Sequence, residues 1–123
     1  MGDSTQRHRD GGGWEESAGY SRAVRRANHI AVSGTTADGA DTYEQTRAAL
    51  SRALDAVRKL GGQVDDVVRS RVYLVPGADW EAASRAHAEL LGSVAPANTM
   101  LHVASLIGDS FLVEVELEAV LLE

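Results

Sequence analysis

From Val113 to Ala119 the chain reads VEVELEA, with apolar residues alternating strictly with glutamates. A strand turns successive side chains to opposite faces, so Phe111, Val113, Val115, Leu117, Ala119 and Leu121 share one face and Glu114, Glu116 and Glu118 the other. The apolar face requires a covering layer, and the acidic face requires partners. The stretch DDVVRSRVYLV offers Arg69, Arg71 and Tyr73 at the same alternation, and the first strand offers Arg22 and Arg26. Glu114 and Glu118 are therefore expected in cross-strand ion pairs, each contributing about 0.2–1 kcal/mol.

The covering layer is legible upstream. YSRAVRR and HIAVSGTT read as a hairpin about Ala27-Asn28, where asparagine tolerates a turn conformation. TYEQTRAALSRALDAVRKLGG places Tyr43, Leu50, Ala53, Val57 and Leu60 at helical spacing, with Asp41 and Glu44 as a capping pair and Gly61-Gly62 as the stop. DDVVRSRVYLV reads as a strand, followed by a loop at Pro76-Gly77 and a second helix from Asp79 to about Leu91. Trp80, Ala83, His87, Leu90 and Leu91 lie on one stripe of that helix. Strands over about 98–106 and 111–122 complete the order ββαβαββ. Each helix has a single apolar stripe, which predicts an α+β fold: a mixed sheet with two helices on one face. Residues 1–17 are polar and broken by Gly11-Gly12-Gly13, and are expected to be a flexible leader to a single domain over 18–123.

A chain of 123 residues, 44% hydrophobic, suffices for one core. It has no cysteine, which removes disulfides, thiolate metal sites and a cysteine nucleophile. No stretch has the apolar length of a membrane span, no signal-peptide core follows the first charges, and Gln6 departs from the myristoylation pattern. The expectation is a soluble cytoplasmic protein. A net charge of −6 and an aromatic content of 5% do not favour a nucleic-acid surface.

Taken together, GYSRAV, HIAVSGTTA, DAVRKLGG, DDVVRSRVYL, PANTM and VEVELEA resemble the Rid family, the reactive intermediate deaminases also called the YjgF family. The resemblance runs from about Gly19 to Leu122. It implies a chorismate-mutase-like fold and a homotrimer with sheets packed into a central barrel, with one site in each cleft between subunits. In deaminase members an arginine behind the motif's proline binds the substrate carboxylate, and a glutamate on the last strand positions the attacking water. Pro96 and Ala97 match that motif, Asn98 stands where the arginine would be, and Glu116 matches the glutamate. Tyr20 matches an early tyrosine, and Ser33-Gly34 the turn bordering the cleft. Thr99 and Met100 are expected to line it.

Asparagine has no charge and cannot copy a bidentate guanidinium fork. Losing a charged hydrogen bond of about 1.5–3 kcal/mol weakens carboxylate binding by about one to two powers of ten. Either the ligand carries a neutral carbonyl or amide at that point, or another arginine, Arg22 or Arg71, reaches in. His29, His87 and His102 lie on separate elements without ligand spacing, so neither a metal nor a cofactor is predicted. Ser33 lacks the G-x-S-x-G elbow and a paired base, and reads as a cleft-lining hydroxyl. Two functions follow. The first is a Rid-like hydrolase or deaminase acting on an imine, enamine or related carbonyl-derived metabolite, with Glu116 orienting water. The second is a non-catalytic trimeric module that holds a small metabolite in the same clefts. Ribonuclease activity is the least favoured.

Overall fold

The structure, a computed structural model, describes residues 4–11 and 14–122. The chain runs β1 (Thr5–His8), α1 (Glu15–Ala18), β2 (Ala23–Arg26), β3 (His29–Thr35), α2 (Thr42–Lys59), β4 (Val67–Leu74), α3 (Trp80–Leu91), β5 (Ala97–His102) and β6 (Val113–Val120). The strands form one sheet in the order β1-β2-β3-β6-β4-β5. Only β4 and β5 pair in parallel, with α3 as their crossover; all other neighbours are antiparallel.

Helix α2 starts where Asp41 accepts from the Glu44 N–H at 2.9 Å, and its last turn carries Arg58 and Lys59 against the helix dipole. It ends at Leu60, after which Gly61 adopts φ +93°. Asp79 caps α3 by accepting from the Ala82 N–H. Leu50, Ala53 and Val57 of α2, with Ala83 and Leu91 of α3, bury fully against Ile30, Val72, Val115 and Leu117 of the sheet. The alternation on β6 is realised as expected: Val113, Val115, Leu117 and Ala119 are buried while Glu114, Glu116 and Glu118 remain half-exposed on the face without helices.

Several expectations shift. Residues 5–8, expected in a leader outside the domain, form the edge strand β1 on β2, with Thr5 opposite Arg26 and His8 opposite Ala23. TQRH has no apolar periodicity to read, and its pairing satisfies the backbone of an otherwise open edge. Glu15 of α1 is buried and accepts from the Gly11 and Arg22 backbone N–H groups, which ties this region to the domain expected to begin at residue 18. Gly12 and Gly13 of the expected glycine break lie outside the described residues. At the hairpin, Ala27 and not Asn28 takes the left-handed conformation, at φ 52°. Asn28 instead exchanges hydrogen bonds with the backbone of Leu121, clamping the end of β6. Trp80 and Tyr43 fall outside the core: Trp80, at the first turn of α3, is 55% exposed, and Tyr43 stacks on Arg85 and donates to Glu89. β5 stops at His102, opposite Leu74 at the end of β4, because its only ladder partner runs out there.

Candidate functional site

The register between β3 and β6 slips between Val32 and Thr35, which bulges Ser33 and Gly34 out of the ladder. A Cβ at Gly34 would collide with the Glu114 carboxylate, so glycine is what admits that side chain. The buried Arg22 guanidinium donates through Nη2 to the Gly34 carbonyl, while its Nε is buried with no protein partner among the described residues. Arg52 of α2 binds Asp10 at 2.8 Å and the Thr36 carbonyl at 3.0 Å. Arg22, Gly34, Thr36 and Arg52 line a cavity of about 590 Å³ together with Trp14, Tyr20, Asp38, Ile107, Phe111 and Glu114. Its Phe111 wall is held by the buried Gln45, whose amide accepts from the Leu112 N–H and donates to the Ser110 carbonyl.

Burial raises the Glu114 carboxyl above the ordinary glutamate range; the charge of Glu116 adds to this and Arg22 opposes it. Burial likewise lowers Arg22, as does repulsion from Arg52. The cavity thus combines a buried cation with a carboxyl that keeps its proton to higher pH than usual.

Along the glutamate face the ladder places Arg69 opposite Glu118, Arg71 opposite Glu116 and Tyr73 opposite Glu114. The side chains instead meet on the diagonal: Arg71 Nη1 donates to Glu118 at 2.9 Å and lies 3.8 Å from Glu116, and the Tyr73 O–H donates to Glu116 at 2.7 Å. This offset leaves Arg69 to donate to Thr99 Oγ1 and leaves Glu114 without a β4 partner. The pairing expected for Glu118 is present; Glu114 turns to the cavity instead. Arg26, expected to face the glutamates, donates to Thr5.

The remaining predicted residues are elsewhere. Asn98 pairs with Ser70, whose other neighbour is Leu117, so Asn98 lies on the helix side of the sheet, opposite to Glu116. With Met100 it lines a second pocket of about 390 Å³, at the β5 edge and α3. Thr99 is on the glutamate face. The Ser33 hydroxyl donates to the Ser21 carbonyl at 2.6 Å, so it fastens the strand entry and is not among the cavity-lining groups. Within this chain, then, Tyr20 and Gly34 are brought together, Asn98 and Met100 form another group, and Glu116 stands with neither. Sequence reasoning missed Arg52, a polar position of α2 with no distinguishing pattern, and the cavity role of Glu114, whose place at the end of a diagonal ladder depends on the bulge at Gly34. Among the described residues no three histidine or carboxylate side chains gather as a metal site, and no helix is long and apolar enough to cross a membrane.

Comparison with known proteins extends these observations. The family model described as endoribonuclease L-PSP matches residues 14–121. An uncharacterized protein of Streptomyces coelicolor is 40% identical over 95% of this chain and 92% of its own. The crystal structure of Rv2704 from Mycobacterium tuberculosis, a member of the YjgF/YER057c/UK114 family, superposes with a TM-score of 0.92 at 37% identity, covering 96% of this chain and all of that one. E. coli TdcF, solved with bound serine, shares the fold at a TM-score of 0.78 and 21% identity, over 98% of both chains. On the extent of these matches, the chain belongs to the YjgF, or Rid, family, whose model bears the description endoribonuclease L-PSP.

Proposed function

We propose that this protein hydrolyses the C=N bond of an imine, or of the imine tautomer of an enamine, derived from a small carbonyl compound, and that it works as a homotrimer. The observation that carries the reading is the pair Glu114 and Glu116, interacting carboxylates on one strand face, the first raised by burial beside the buried Arg22. Carboxyls whose surroundings push them apart suit a division between acid and base. Glu116, fixed by the Tyr73 O–H, takes a proton from water as the water oxygen bonds to the imine carbon. The C=N π pair moves to nitrogen, which takes the proton held by Glu114. In the carbinolamine the hydroxyl proton passes to the amine through the same carboxylates, the C–N bond breaks, ammonia leaves and the carbonyl forms. Arg22 supplies the positive charge that Asn98 lacks, and holds an acidic or strongly polar end of the substrate.

The trimer reading is supported by the half-exposed glutamate face, which has no helical cover, and by the separation of Asn98 and Met100 from Tyr20 and Gly34 within one subunit. A cleft between subunits would unite them. The net charge of −6 speaks against ribonuclease action. The test is ammonia release from imines generated in place from a panel of amino acids, with light scattering on the same sample. Release by the native protein that Glu116→Gln abolishes is the expected result. No release from any member of the panel overturns the hydrolase and leaves a binding module; a monomer mass overturns the trimer.

A further inference from the structure

The pocket at the β5 edge carries a specificity of its own. Asn98 Nδ2 donates to Ser70 Oγ at 3.0 Å, and Ser70 Oγ lies 2.7 Å from His87 Nε2. Such a chain could run in either direction, because an amide and a hydroxyl can both reverse. The Ser70 carbonyl removes the ambiguity. It lies 3.5 Å from the same Asn98 atom, and since a carbonyl oxygen only accepts, an amide oxygen at that place would face it unfavourably. The nitrogen therefore points inward. Ser70 is fully buried, and having accepted from Asn98 it has its own proton left for His87 Nε2, which requires a neutral ring. Burial of His87 favours that neutral form.

With its nitrogen engaged, exposed Asn98 has its Oδ1 left over, and that atom has no protein donor among the described residues. Around it lie Trp80, Met100 and Leu101, whose surfaces are apolar, and Ser84, whose hydroxyl is directed to the Met100 sulfur. Among the described residues no Asp, Glu, Lys or Arg lines the pocket, and its one ionisable side chain is His102. We propose that this pocket binds a neutral group that donates an N–H to Asn98 Oδ1, such as a primary amide on a small flat apolar body, with Ser70 and His87 as positioning residues that fix the polarity of Asn98. A carboxylate offers no donor, would face the Oδ1 lone pairs and would find neither lysine nor arginine there, so the position selects against acids first by the orientation of Asn98.

The experiment uses benzamide, which has N–H donors, and methyl benzoate, which has none, titrated against the full chain carrying Trp14→Phe so that Trp80 is the only fluorescent tryptophan. Benzamide is expected to quench Trp80 saturably and to bind about tenfold more tightly than the ester, the equivalent of one hydrogen bond of about 1.4 kcal/mol. Asn98→Leu should bring the two to equal affinity. Ser70→Ala, confirmed as folded by its circular dichroism, removes the hydrogen bond at 3.0 Å and leaves the backbone carbonyl at 3.5 Å as the remaining restraint on the Asn98 amide, so it should narrow the preference without abolishing it and without a matching loss of ester binding, which a purely structural role would not do. Equal binding of both compounds, no saturable quench by benzamide, or an Asn98→Leu protein that still prefers benzamide would each overturn the proposal. Neither compound is charged, so a failure of the Arg22 assignment leaves this outcome unaffected.

Discussion

The two faces of β6 are built from the same seven-residue alternation and obey different rules. On the helix side Val113, Val115, Leu117 and Ala119 share one fate, because burial under α2 asks only for apolar volume. On the other side the three glutamates have identical chemistry and three different occupations: Glu118 on Arg71, Glu116 on Tyr73, and Glu114 in the cavity with Arg22. A covered face is specified by its own strand, whereas an uncovered one is specified by whatever neighbours bring to it.

The largest expected effect that would sharpen this contrast is catalytic. Glu116→Gln should lower turnover on the best imine found by about 10²–10⁴-fold while the melting temperature hardly moves, and Glu118→Gln should leave turnover intact. Equal losses in both would erase the distinction among the glutamates. Next, Leu117→Ala on the covered face should cost about 2–5 kcal/mol in denaturant unfolding, by lost transfer energy and the cavity left behind. A cost below that of a surface substitution would break the comparison from the other side.

A smaller effect is expected from pH. Because Glu114 is raised in the folded state, the unfolded chain loses that proton first as pH rises. Stability from this group is thus present below the ordinary glutamate value and is lost as pH climbs through the raised one. Melting curves across that window should show the decline in the native protein and a flatter profile in Glu114→Gln. Smallest of all, Glu118→Gln should cost about 0–1 kcal/mol, since its pair with Arg71 is about one-third exposed (side-chain exposures of 32% each), and added salt should shrink the difference.

The covered face, both long helices, their caps and the strand pairing of Arg71 with the glutamates could be read from the chain, because period and capping are local properties. What could not be read depended on non-local geometry. The diagonal offset between β4 and β6 decides which glutamate is left over, and no periodicity encodes it. TQRH became a strand because β2 had an edge to fill. Asn98 and Glu116 were expected at one site, yet the parallel register with Ser70 turns Asn98 to the opposite side of the sheet from Glu116. The resemblance supplied Tyr20 and Gly34, which do share a cavity; the residues that charge it, Arg22 and Arg52, come from a strand approach and a helix with no common motif.

The position of β6 between β3 and β4 also has a meaning in time. It is the last strand in chain order, yet it is the seam that joins β1, β2 and β3 to β4 and β5. On a chain emerging from a ribosome, the hairpin and the β4-α3-β5 unit would come out first, with the facing edges of β3 and β4 still unpaired. Pairings between strands so far apart in the chain form slowly, and open edges invite association with other chains in the meantime. Closure is therefore one late event: a central strand, its four buried side chains and the two carboxylates proposed for catalysis arrive in the same stretch of chain.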